Sequence, residues 1–155
     1  MRWLTIAIAL VSALAFAMSV QGGRWWTIGD VAEVGPFGTN RCFGGECEPA
    51  PMLWLGASDR WVRFGTATGA AGLLCGVLLI VVAAALAAKR IPRLVAKSVA
   101  VSLATAVIAG SVFVVQYPGA DLAESSFGRG VLLYAIAIAL GAFVAVSVLR
   151  TAKSP

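Results

Sequence analysis

Three cysteines carry most of the chemistry this 155-residue chain can offer, and two of them, Cys42 and Cys47, flank the dipeptide Gly44-Gly45. A two-residue Gly-Gly turn pairs Phe43 with Glu46 and sets Cys42 opposite Cys47 across an antiparallel hairpin. Directly opposed residues lie about 4.5 to 5.5 Å apart at Cα, a separation a disulfide spans. The spacing therefore predicts one disulfide, and leaves Cys75, inside an apolar run, as a free thiol whose simplest role is packing. The chain has no histidine, and its seven carboxylates are scattered, so neither a zinc site nor a Ser-His-Asp arrangement can be assembled. Gly-rich phosphate motifs are missing too. The expectation is a protein with no catalytic residues, no metal site and no cofactor, and hence not an enzyme.

The segments that must position the cysteine pair are apolar. With 60% hydrophobic residues, 12% charged residues and a mean hydropathy of +0.91, lipid is the expected solvent. Runs free of Asp, Glu, Lys and Arg cover residues 3–20, 64–88, 98–117 and 130–149. A bilayer core about 30 Å thick needs roughly 20 helical residues, so each run is long enough to span, the second with tilt. The fold class expected is a mainly α membrane protein, one four-pass domain over 1–155. Its four-helix bundle carries a small antiparallel β-sheet in the first extracytoplasmic loop. The first span also fits a secretory signal peptide, with Arg2 before it and the small-residue tract Ala15-Phe16-Ala17 near its end; cleavage there would leave three helices.

Charge placement sets the expected orientation. Arg2, then Lys89, Arg90, Arg93 and Lys97, then Arg150 and Lys153 flank the spans on one side with no acid among them. All seven acids fall in the other two loops, 21–63 and 118–129. Basic residues are retained on the cytoplasmic side, so both termini and the loop 89–97 are expected inside, in a plasma (inner) membrane. The net charge of +5 thereby serves topology, and no nucleic-acid partner is expected. The partners expected are the lipid bilayer and further copies of the chain or other membrane proteins.

The outer loop 21–63 holds Trp25, Trp26, Trp54 and Trp61, too aromatic for a floppy linker. Trp25-Trp26-Thr27-Ile28, and the segments around Gly44-Gly45, read as short strands. The loop 118–129 opens on the turn signal Pro118-Gly119, and Gly128 and Gly130 flank Arg129 where the last helix starts. Trp3, Trp61 and Tyr117 stand near span ends and are expected in the headgroup belt. Arg63 stands at the outer mouth of the second helix, to reach headgroups or to pair with Asp59. Within the second span, Gly65, Gly69, Gly72 and Gly76 share one helix face, a seam for close backbone packing inside the bundle or between copies. Ser102, Ala106 and Ala109, and Ala137, Gly141 and Ala145, supply small faces on the third and fourth helices.

Taken together, the order of a helix, a long Trp-bearing loop with a close cysteine pair, and three further helices resembles the claudin and peripheral-myelin-protein superfamily of tetraspan proteins. Trp25 or Trp26 matches the first Trp of the family's outer-loop signature. Gly35-Pro36-Phe37 stands where Gly-Leu-Trp would be, Cys42 and Cys47 take the cysteine positions, and Arg63 takes the arginine position. Phe37 replaces a Trp, and the cysteines are closer together than in the family pattern. The resemblance implies a left-handed bundle bearing a sheet formed mainly by the first outer loop; pore-lining and paracellular ion selectivity do not carry over.

The leading functional expectation is a structural or interaction protein, active in cell adhesion or as a membrane complex subunit. It would use the outer sheet and small-residue helix faces to self-associate or to accompany a larger assembly. A small channel or transport subunit ranks second, since the acids of the first loop would attract cations. A membrane thiol oxidoreductase ranks third, because such enzymes use two cysteine pairs and this chain has one.

Overall fold

The computed structural model describes residues 2–21, 24–52, 56–90, 93–119 and 124–151. Trp54, Pro92, Asp121 and Lys153 lie outside the described residues. Four helices, α1 (Arg2–Gln21), α2 (Asp59–Ala87), α3 (Arg93–Val115) and α4 (Arg129–Thr151), are each long and apolar enough to cross a membrane. Their inward faces are built from small residues such as Ala9, Ala106 and Ala137, all fully buried, whereas Leu74, Val77, Ile108 and Leu132 point outward. This arrangement inverts that of a water-soluble bundle and suits a chain whose exterior is hydrocarbon.

Helices α2 and α3 each begin five residues before the charge-free runs at 64 and 98. A charge ends a lipid-compatible run without ending a helix. Ser58 caps α2 by accepting from the Trp61 amide at 3.3 Å, and Asp59 complements the partial positive charge of the first turn. At 29 residues α2 is about 44 Å long at 1.5 Å per residue, longer than the roughly 30 Å of a hydrocarbon core. Helix α3 stops at Val115, two residues short of the run's end at 117, because Pro118 disfavours helical geometry at Tyr117. The helices form a ring in which α1 and α3 each pack on both α2 and α4. Ser12 Oγ donates to the Ala137 carbonyl (2.8 Å) and Ser19 Oγ to the Gly130 carbonyl (2.9 Å), joining α1 to α4. α1 is thus one wall of the bundle.

One end of the ring carries a five-stranded antiparallel sheet of order β4-β3-β2-β1-β5. Four strands come from the long loop: β1 (Trp26–Ile28), β2 (Ala32–Val34), β3 (Thr39–Phe43) and β4 (Glu46–Ala50). The fifth, β5 (Ser125–Phe127), comes from the connection between α3 and α4 and pairs with β1 in the register Trp26↔Phe127 and Ile28↔Ser125.

Candidate functional site

The sheet and the residues that seat it on the helices form the candidate interaction site. Its outermost element is the β3–β4 hairpin. Gly44 (φ +62°) and Gly45 (φ +90°) both adopt left-handed backbone, as a primed two-residue turn requires. The register places Cys42 opposite Cys47, and the two form a disulfide. Their Cα atoms are 4.0 Å apart, closer than the sequence-based range. Phe43 and Glu46 close the turn, which makes the cysteines a non-hydrogen-bonded pair, the narrower kind. Behind the hairpin, Arg24 Nε lies 2.7 Å from Glu33 Oε1.

Three tryptophans seat the sheet. Trp26 stacks on Tyr117 with centroids 4.3 Å apart and planes 3° from parallel. Trp61 stacks on Phe113 at 4.5 Å, and Trp25 lies 4.9 Å from Tyr134 and 5.6 Å from Phe113. Trp25, Trp26 and Trp61 are each no more than 2% exposed. Two indoles also act as donors: Trp25 Nε1 to the Ser19 carbonyl (3.0 Å) and Trp61 Nε1 to the Phe113 carbonyl (2.8 Å). Both acceptors lie in the last turn of a helix, where carbonyls lack intrahelical partners. This corrects the headgroup-belt expectation for Trp61 and Tyr117, which are buried in the aromatic cluster. Packing rings while satisfying an orphaned carbonyl outweighs placing the same rings at an interface. Trp3 is 69% exposed on the first turn of α1.

The loop from Gly35 to Gly38 folds back on itself, Gly35 N donating to the Gly38 carbonyl (2.8 Å), and lays its tip along α2. A Cβ on Gly65 would meet the Pro36 carbonyl and the Phe113 ring at 2.7 Å, and one on Gly69 would meet the Phe37 ring at 2.6 Å. At Gly72 it would meet Tyr134 at 2.8 Å, and at Gly76 the nearest atom is the Ala13 carbonyl at 3.5 Å. The four glycines therefore serve four partners: a loop backbone, a loop ring, an α4 ring and the α1 backbone. Ser102, Ala106 and Ala109 are buried on α3, as are Ala137, Gly141 and Ala145 on α4. Arg63, two residues before Gly65 on α2, is exposed and makes no ion pair with Asp59. Phe16, Phe113 and Tyr134, the partners that complete this site, were not singled out from the sequence. Their only signal was being bulky aromatics in otherwise small-residue spans.

Glu33, Cys42 and Cys47 bring their ligand atoms within 4.8 Å of one another, but the sulfurs are bonded to each other and offer no thiolate to a metal. Cys75 is buried in α2. No protein-family model matches this chain, and no curated protein matches it.

Proposed function

We propose that the chain is a claudin-like, four-pass structural protein of the plasma (inner) membrane, with both termini cytoplasmic and the sheet on the outer face. There it self-associates, or joins a larger membrane complex, through that sheet. Acid-free basic flanks at one end of the bundle, with every acid in the two loops at the other, support this orientation. A sheet drawn mainly from the loop between the first and second helices, seated by tryptophans and clipped by a close cysteine pair, supports the family reading. The observation that carries the interaction role is a rigidly anchored platform left partly uncovered among the described residues: β4 is exposed along Glu46–Pro49, Phe43 is 65% exposed and Phe127 70%.

Cross-linking in native membranes tests this reading. We expect a dimeric or larger adduct that weakens in the Phe43→Glu, Phe127→Glu double variant. Recovery of monomer alone, with no partner attached, would reject it.

A further inference from the structure

The end of the bundle opposite the sheet contains a cavity of about 550 Å³ between the start of α1, the end of α2 and the end of α4. Its rim carries Arg2, Lys89, Arg90 and Arg150. None of the four is paired with an acid among the described residues, and no acidic residue occurs in the segments that meet here. Arg2 instead lies over the Trp3 ring, 5.5 Å from its centroid. Leu86, Phe143 and Val148 give the lining an apolar part, and Ser147 and Thr151 add hydroxyl side chains. The volume is within the roughly 300 to 1,000 Å³ of small-molecule sites.

We propose that this cavity binds one anionic glycerophospholipid, its phosphodiester held by the four cations and its acyl chains laid against Leu86, Phe143 and Val148. Charge complementarity selects the occupant. Four cations lining one cavity with no acid beside them call for an anion, and guanidinium forks match phosphate oxygens. The apolar lining by Leu86, Phe143 and Val148 selects an amphiphile over a free anion. Retention of basic residues for topology would not by itself gather them on a cavity: Arg93 and Lys97, basic residues of α3 near the same end, do not line it. Lys89 itself sits just past the end of α2 with a left-handed backbone (φ +58°). The inference requires that the bundle spans a bilayer and is independent of the adhesive role of the sheet.

Native mass spectrometry of the full chain in mild detergent, titrated with phosphatidylglycerol or phosphatidylcholine, provides the test. We expect one phosphatidylglycerol retained at least tenfold more tightly than phosphatidylcholine. That preference should be lost in Arg90→Gln with Arg150→Gln, and kept in the control Arg93→Gln with Lys97→Gln. Ser147→Phe, which fills the cavity and keeps every cation, should also abolish retention, so the test survives a double variant that does not fold. Equal retention of the two lipids, or equal losses in cavity and control variants, would reduce the effect to general surface charge and overturn the proposal. Competition by glycerol phosphate as effective as that by the whole lipid would overturn it in favour of a free-phosphate site.

Discussion

Trp61 and Phe113 are joined twice: the rings stack at 4.5 Å, and the indole nitrogen donates to the Phe113 carbonyl at 2.8 Å. In a continuing α-helix that carbonyl would accept from the Tyr117 amide, which turns instead to Val114 at 3.4 Å. The side chain of α2 thus completes the end of α3, and Trp25 does the same for α1 at Ser19. Trp61→Phe keeps a ring and removes the donor, so it should cost about 1–3 kcal/mol, the desolvation penalty of an unpaired buried carbonyl. Trp61→Ala should cost about 3–5 kcal/mol through the added cavity. Equilibrium unfolding in detergent measures both. A Phe variant as stable as the parent would show that water satisfies the carbonyl.

Gly65 and Gly69 should respond differently to alanine. At Gly69 the obstacle is the tip of the Phe37 ring, which is 52% exposed and free to swing away, so Gly69→Ala should cost under about 1 kcal/mol. At Gly65 the obstacles are a backbone carbonyl and the fully buried Phe113, neither able to yield, and overpacking of about 1–3 kcal/mol is expected. The order of the two melting temperatures checks the argument.

Replacing Cys42 and Cys47 together by serine should loosen the hairpin and leave the helices intact. Closing so short a loop stabilises it by about 2 kcal/mol in the chain-entropy estimate. Faster trypsin cleavage at Arg41 with unchanged helical circular dichroism is the expected outcome. Loss of helical signal would mean the clip supports the whole bundle.

Ser12→Ala removes the buried hydroxyl that bonds the Ala137 carbonyl. Hydrogen bonds between membrane helices average about 0.6 kcal/mol, reaching about 1.7, so a small loss in that range is expected on unfolding by denaturing detergent. A larger loss would point to a packing defect beyond the bond itself.

The proposed orientation makes a prediction of its own. A reporter active only in the cytoplasm should work when fused after Thr151 or inserted beside Lys89, and should fail when inserted at Gly44-Gly45. Activity at the hairpin site would reverse the orientation and place the disulfide in a reducing compartment.

Much of the architecture could be read one residue type at a time. Charge-free runs located the four helices, because hydrocarbon excludes charge. A Gly-Gly turn located the cysteine pairing, because residue alternation leaves one register for a two-residue hairpin. β5 escaped notice: Ser125–Phe127 is too short to show periodicity, and its partner β1 lies about a hundred residues away, bonded through Thr27 Oγ1 and Ser126 Oγ at 2.8 Å. The helix starts at Asp59 and Arg93 escaped for a related reason, since hydropathy reports lipid depth and caps report helix ends.

The amino-acid sequence by itself determined which segments are helices long and apolar enough to cross a membrane and which cysteines meet, since these depend on local composition and on chain geometry over a few residues. Tertiary structure alone decided the partners. Trp61 and Tyr117 became interior rings, each glycine of α2 received a different neighbour, and four cations from three helix ends came to share one cavity. Small-residue helix faces in lipid accept many partners at similar energy, so the choice among them belongs to the assembled bundle.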